Sequence, residues 1–212
     1  MTLVVTARGS AERELQPERA TLRASLGFES SSLDSAVSRT TALVTEVVPT
    51  LEELNGSAIT KLVINPLRTS TWRPYANDGT LKPVRYSASV SISAEFVDFV
   101  ELARTSVRLG ERDGVSLNDV EWTLTPETRR AVEAEVLAEA IADAEARAEV
   151  MAHAAAHCGG VEFTKLADSG LMHTEAAPAM LRSASFAQDA GFKVSPDDLT
   201  LSVTVEAQFE AS

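Results

Sequence analysis

The chain has 212 residues, 44% hydrophobic and 24% charged, which is the balance of a globular protein with a core of its own. Its formal net charge of −12 repels phosphate backbones and anionic head groups, and no run of Lys and Arg interrupts that balance. Neither nucleic acid nor a lipid surface is therefore expected as a partner, and no stretch approaches the roughly 18 consecutive apolar residues of a membrane span.

Met1 to Gly9 lacks the basic segment, apolar stretch and small-residue cleavage site of a secretory leader. The expected location is cytoplasmic, or periplasmic or secreted if a leader has been removed. Leu3, Val5 and Ala7 alternate with polar residues, as in a half-buried strand, and Gly9 is read as a bulge or turn. After Pro17-Glu18, a second strand alternates through Ala20, Leu22, Ala24, Leu26 and Phe28.

Ser31 and Asp34 have the spacing of a capping pair. The helix behind them carries an apolar stripe at Leu33, Val37, Thr41, Val44, Val48, Leu51 and Leu54. Pro49 should kink that helix or end it early. Ile59 to Trp72 and Val84 to Ala94 then read as the two strands of a hairpin with an extended, turn-rich tip between them. A short helix from about Asp98 to Leu109 turns Phe99, Leu102, Ala103 and Val107 inward. Another strand follows over Val115 to Leu124.

Thr125 as cap, Pro126 at the first helical position and Glu127 in the first turn start the longest helix, expected to reach His157 and stop at Gly159-Gly160. Leu137, Ile141, Ala144, Ala148, Met151 and Ala155 are expected to line its inner face. Glu135, Glu139, Asp143 and Glu149 mark the wet side. A strand over Val161 to Leu166, a variable loop of about 168–196 and a final alternating strand through Leu199, Leu201, Val203, Val205 and Phe209 complete the chain. Hairpin strands broken by three helices predict an α+β fold with antiparallel-rich sheets covered by helices, in a single domain over 1–212.

Trp122-x-Leu124, leading into Ala140-x-x-Asp143-Ala144-x-x-Arg147-Ala148-x-x-Met151-Ala152 and then Gly159, is a specific combination. Together with Val5-x-x-x-Gly9, Pro17-Glu18 and Tyr86-x-Ala88-x-Val90, it resembles the SIMPL-domain family, which includes periplasmic immunogenic proteins of Gram-negative bacteria. The resemblance spans nearly the whole chain. It implies a two-layer α/β fold, assembly into ring-like or channel-like oligomers, an association with oxidative-stress protection, and no catalytic residues. The chain departs from the family pattern in its first residues, which are not read as an export signal, in having Ala11 where a second glycine is usual, and in Pro49, expected to kink its helix.

Several side chains could carry chemistry. His153 and His157, four apart with Cys158 adjacent, could hold a transition metal with Glu149 or His173 completing the shell. A tetrahedral site needs more ligands than this spacing supplies, so no metal or cofactor is expected. Cys158 at a helix C-terminus faces the end of the dipole that disfavours a thiolate, and reads as a small buried apolar side chain. Trp72-Arg73-Pro74-Tyr75 and Arg85-Tyr86 gather aromatics and guanidiniums, the side chains that anchor protein contacts. The loop around Leu171, Met172, Met180, Leu181, Phe186 and Phe192 holds more apolar residues than a free loop should expose. Asp197-Asp198 and the other carboxylates are scattered, and no Gly-x-Ser-x-Gly elbow or nucleophile-base arrangement is present.

The expectation is a non-enzymatic protein that forms homo-oligomers through the interface residues Trp72, Tyr75, Met172, Met180, Leu181 and Phe186. The alternatives are a metal- or redox-responsive protein built on His153, His157 and Cys158, and a small-molecule carrier.

Overall fold

The computed structural model describes residues 2–75, 79, 81–168, 174–175 and 196–212. They form an α+β fold gathered into two compact units, each an antiparallel sheet with helix packed on one face.

In the first unit, β1 (Leu3–Leu15) and β7 (Val161–Asp168) flank β9 (Leu199–Ala211), and β8 (Thr174–Glu175) pairs with β9 as well. Strand β9 buries every second residue from Leu199 to Ala211, as its alternation predicts. Val5, Ala7, Leu201, Val203, Val205 and Phe209 meet helix α3 (Pro126–Ala154), whose buried side is Val132, Val136, Ala140, Ala144, Ala148 and Ala152. That row has a strict spacing of four, the ridge inclined about 26° to the helix axis. Ala144 and Ala148 stand in it as expected, but Met151 and Ala155 are exposed, and Leu137 and Ile141 only flank the core. Small side chains occupy the seam because the helix comes very close to β1. Gly9 lies inside an unbroken strand rather than at a bulge or turn. A Cβ there would collide with the carbonyl oxygen of Ala140 and come within 2.8 Å of the Ala144 Cβ.

The expected wet side of α3 is partly a fastening row. The Asp143 carboxylate accepts the backbone N–H of Ser10 at 2.9 Å, and Arg13 pairs with both Glu135 and Glu139. Asp143 thus satisfies one backbone N–H of β1 that points away from β9, and the two glutamates fasten the Arg13 side chain to the helix. Thr125 caps the helix by accepting the N–H of Thr128, as expected.

The second unit places β2 (Arg19–Ser30) between β5 (Arg85–Phe96) and β6 (Val115–Thr123). The far edge of β5 is shared by β3 (Ile59–Ile64) and β4 (Arg68–Trp72), so the expected long strand is broken at residues 65–67 around Pro66. Ala20, Leu22, Ala24, Leu26, Val90, Ile92, Ala94 and Phe96 point to one face, where α1 (Leu33–Glu52) and α2 (Phe99–Gly110) cover them. Helix α1 buries Ala36, Thr40, Leu43, Val47 and Leu51; Leu51 belongs to the expected stripe, the other four lie one position before it, and Val44 and Val48 are only partly covered. Thr40 at its centre is fully buried. Its hydroxyl accepts the N–H of Phe28 and donates to the carbonyl of Ala88, two residues that face each other across β2 and β5.

Pro49 does not end α1, which runs three residues further to Glu52. Ser32 rather than Ser31 stands at the N-cap, and its side chain makes no cap hydrogen bond. On α2, Asp98 caps by accepting the N–H groups of Val100 and Glu101, and Thr105 and Leu109 are buried where Val107 was expected.

Candidate functional site

The helical end that carries the histidines is built differently from the sequence reading. Helix α3 stops at Ala154, and Ala156 takes a left-handed conformation with φ 65°. The His157 N–H donates to the Ala152 carbonyl and the Ala156 N–H donates to the His153 carbonyl, both at 3.0 Å. This 6→1 and 5→2 pair closes the helix in a Schellman turn, with alanine where glycine is usual. The helix therefore ends before Gly159-Gly160. His153 lies in the last helical turn and His157 lies beyond the turn, so the two do not stand one above the other on a helix face. The His157 Nδ1 is 3.0 Å from the Ala155 carbonyl oxygen. Cys158 is exposed, not buried as expected. Among the described residues, no three His, Cys, Asp or Glu side chains come together closely enough to hold a metal ion.

A shallow concavity of about 380 Å³ opens beside α1, lined by Phe28, Arg39, Leu43, Glu46, Arg112 and Asp113. Its cations are already engaged. The Arg39 guanidinium lies 3.9 Å over the Phe28 ring and 3.5 Å from Asp113, and Arg112 pairs with Glu46. Gly114, at φ 83°, lets the chain turn against the Phe28 ring, where a Cβ would clash.

The β4–β5 hairpin is the surface where chemistry is left open. All five residues of β4 are exposed, so no described layer covers either face of this strand. Cross-strand pairing sets Arg68 opposite Ser89, Ser70 opposite Ser87 and Trp72 opposite Arg85. The Ser70 and Ser87 hydroxyls lie 2.7 Å apart on that face, which turns away from the helices. Trp72 is 45% and Tyr75 71% exposed, with Leu81 bridged to Tyr75 near the tip.

Lys61, Arg68, Arg73, Lys82 and Arg85 are all exposed here, and none of them makes an ion pair with a described residue. Elsewhere among the described lysines and arginines, only Arg130 and Lys165 likewise lack an ion pair. Arg8, Arg13, Arg23, Arg39, Arg108, Arg112, Arg129 and Arg147 each have a carboxylate partner.

The structure thus brings the expected interface residues Trp72 and Tyr75 together with cations that sequence reasoning passed over, Lys61, Arg68 and Lys82 among them. The signal was present: between residues 59 and 94 the only acidic residue is Asp78. It escaped notice because the cations are spread along two strands and meet only when the hairpin forms. The other expected interface residues, Met172, Met180, Leu181 and Phe186, lie outside the described residues, as does His173.

A search of curated proteins finds no match to the chain. A family model described as "SIMPL: Protein of unknown function (DUF541)" matches residues 5–209, which takes in both sheets and all three helices. The alanine row of α3 seated on Gly9 and the alternating strands lie within that span, and the chain belongs to the SIMPL family.

Proposed function

We propose that the chain works by contact rather than by catalysis, as a self-associating subunit with a binding role. One observation carries the reading: the β4–β5 hairpin exposes Trp72, Tyr75 and Leu81 beside five cations that have no described carboxylate partner. Aromatic and arginine side chains are the ones that anchor protein interfaces when they are desolvated. An acidic chain that keeps one cationic, aromatic surface open has a complementary partner in a second copy of itself. A stress-protective role, which the family resemblance implies, is consistent with an assembling protein that binds other molecules.

Size-exclusion chromatography with light scattering tests this at micromolar concentration. The expected particle is a multiple of the 22.6 kDa chain. Replacing both Trp72→Ala and Tyr75→Ala should lower its mass without lowering thermal stability by more than about 1 kcal/mol, because exposed side chains contribute little to folding. A wild-type particle that stays monomeric overturns the reading.

A further inference from the structure

Strand β4 is an edge. It pairs with β5 on one side, and no described strand lies on the other. Alternate residues of an edge strand direct their N–H and C=O groups away from their neighbour, ready to pair with another strand. In the first unit Asp143 accepts the outward N–H of Ser10 on β1, whereas no described side chain is seen to do this for β4. Lipid head groups and small anions do not complete a row of backbone donors and acceptors; an extended polypeptide does.

The side chains select the charge of that polypeptide. Arg68, Trp72 and Arg85 share the outward face, Lys61 lies along the same edge on β3, and Arg73 and Lys82 flank the tip. Glu95 stands opposite Lys61 and Glu29 opposite Ser87 on this face, but the cations outnumber them, and at about 0.15 M salt the Debye length of about 8 Å screens carboxylates farther away. The same cations oppose pairing of β4 with another β4, since like charges on edge strands disfavour that contact. Thr69 and Thr71, on the opposite face, have the β-branched form that suits a paired strand.

We propose that the edge of β4 that no described strand covers captures an acidic, extended polypeptide segment by strand addition. The segment's backbone completes the sheet and its carboxylates meet Arg68, Arg85 and the neighbouring lysines. The inference shares the hairpin with the self-association reading but does not require it.

The test uses fluorescein-labelled peptides of about ten residues, the length of a long strand, titrated with the full chain at 0.15 M salt. One peptide alternates glutamate and valine, a second replaces glutamate by lysine, and a third keeps the glutamates but has proline at two central valines. The acidic strand-forming peptide should bind at least about tenfold more tightly than either of the others. The Arg68→Glu, Arg85→Glu double variant should lose that binding at an unchanged melting temperature. Should that variant unfold, Arg68→Gln, Arg85→Gln removes the charge without reversing it and should weaken binding in the same direction.

Equal binding of acidic and basic peptides, or equal binding of the proline peptide, overturns the proposal. So does sedimentation with phosphatidylglycerol vesicles by a protein that ignores the acidic peptide. Light scattering on the same samples reads self-association separately, so a monomer that binds the peptide refutes only the assembly reading.

Discussion

Gly9 is required for its missing side chain, not for its backbone freedom. Its φ is ordinary for a strand, yet α3 passes so closely that any β-carbon meets the Ala140 carbonyl and the Ala144 backbone. Backbone atoms cannot rotate aside, so Gly9→Ala should cost about 3 kcal/mol. For a chain of this size that lowers the melting temperature by about 6–12 °C, readable by circular dichroism. Ala156 is the converse case. Holding alanine in the left-handed region costs about 1–2 kcal/mol, while glycine loses about 0.4–1 kcal/mol more chain entropy on folding. Ala156→Gly should therefore raise stability by about 0.5–1 kcal/mol and the melting temperature by about 1–4 °C. An unchanged or lower value would mean that the Schellman turn is not the dominant conformation in solution.

At the scale of elements, the row Glu135, Glu139 and Asp143 decides how α3 meets β1. Asp143→Ala leaves the Ser10 N–H to water, at a cost of about 1 kcal/mol given how exposed the pair is. Hydrogen exchange at Ser10 should accelerate in that variant, and Asp143→Asn should recover part of the protection. The types and order of the elements were legible because period-two alternation in β2, β5 and β9 and the Thr125-Pro126 start of α3 are strong local signals.

The faces of the helices were less legible. In α1 two adjacent rows are apolar, and the inner one won because Ala36 and Thr40 allow close approach and the Thr40 hydroxyl finds partners on both strands. In α3 Ala144 and Ala148 were legible as inner residues, but the larger Leu137, Ile141 and Met151 were grouped with them, although a seam this narrow admits only small groups. The candidate site was half legible. Trp72 and Tyr75 stood out by type, whereas an edge of β4 without a described neighbour is a property of sheet order, which no local pattern encodes.

For the molecule as a whole, charge is segregated rather than merely negative. Among the described residues, cations outside the hairpin mostly sit beside carboxylates, Arg130 and Lys165 apart, and the other five without an ion pair gather on β3, β4, β5 and the segment joining β4 to β5. If copies associate through that surface, raising salt from 0.1 M to 1 M shortens the Debye length from about 10 Å to about 3 Å and should shrink the particle seen by light scattering. Association that strengthens with salt would instead identify an apolar contact as the main one.

The alanine row on α3 has a further consequence. Because Ala140, Ala144, Ala148 and Ala152 are alike, a seam of methyl groups alone would let the helix settle one turn too far in either direction. One slip would bring Val136 onto Gly9, where there is no room. The opposite slip would set the Arg147 guanidinium against the Ser10 N–H, donor facing donor. A single valine at one end and a single arginine at the other thus act as stops on an otherwise smooth track, and the sequence specifies one docking position out of several that look equivalent.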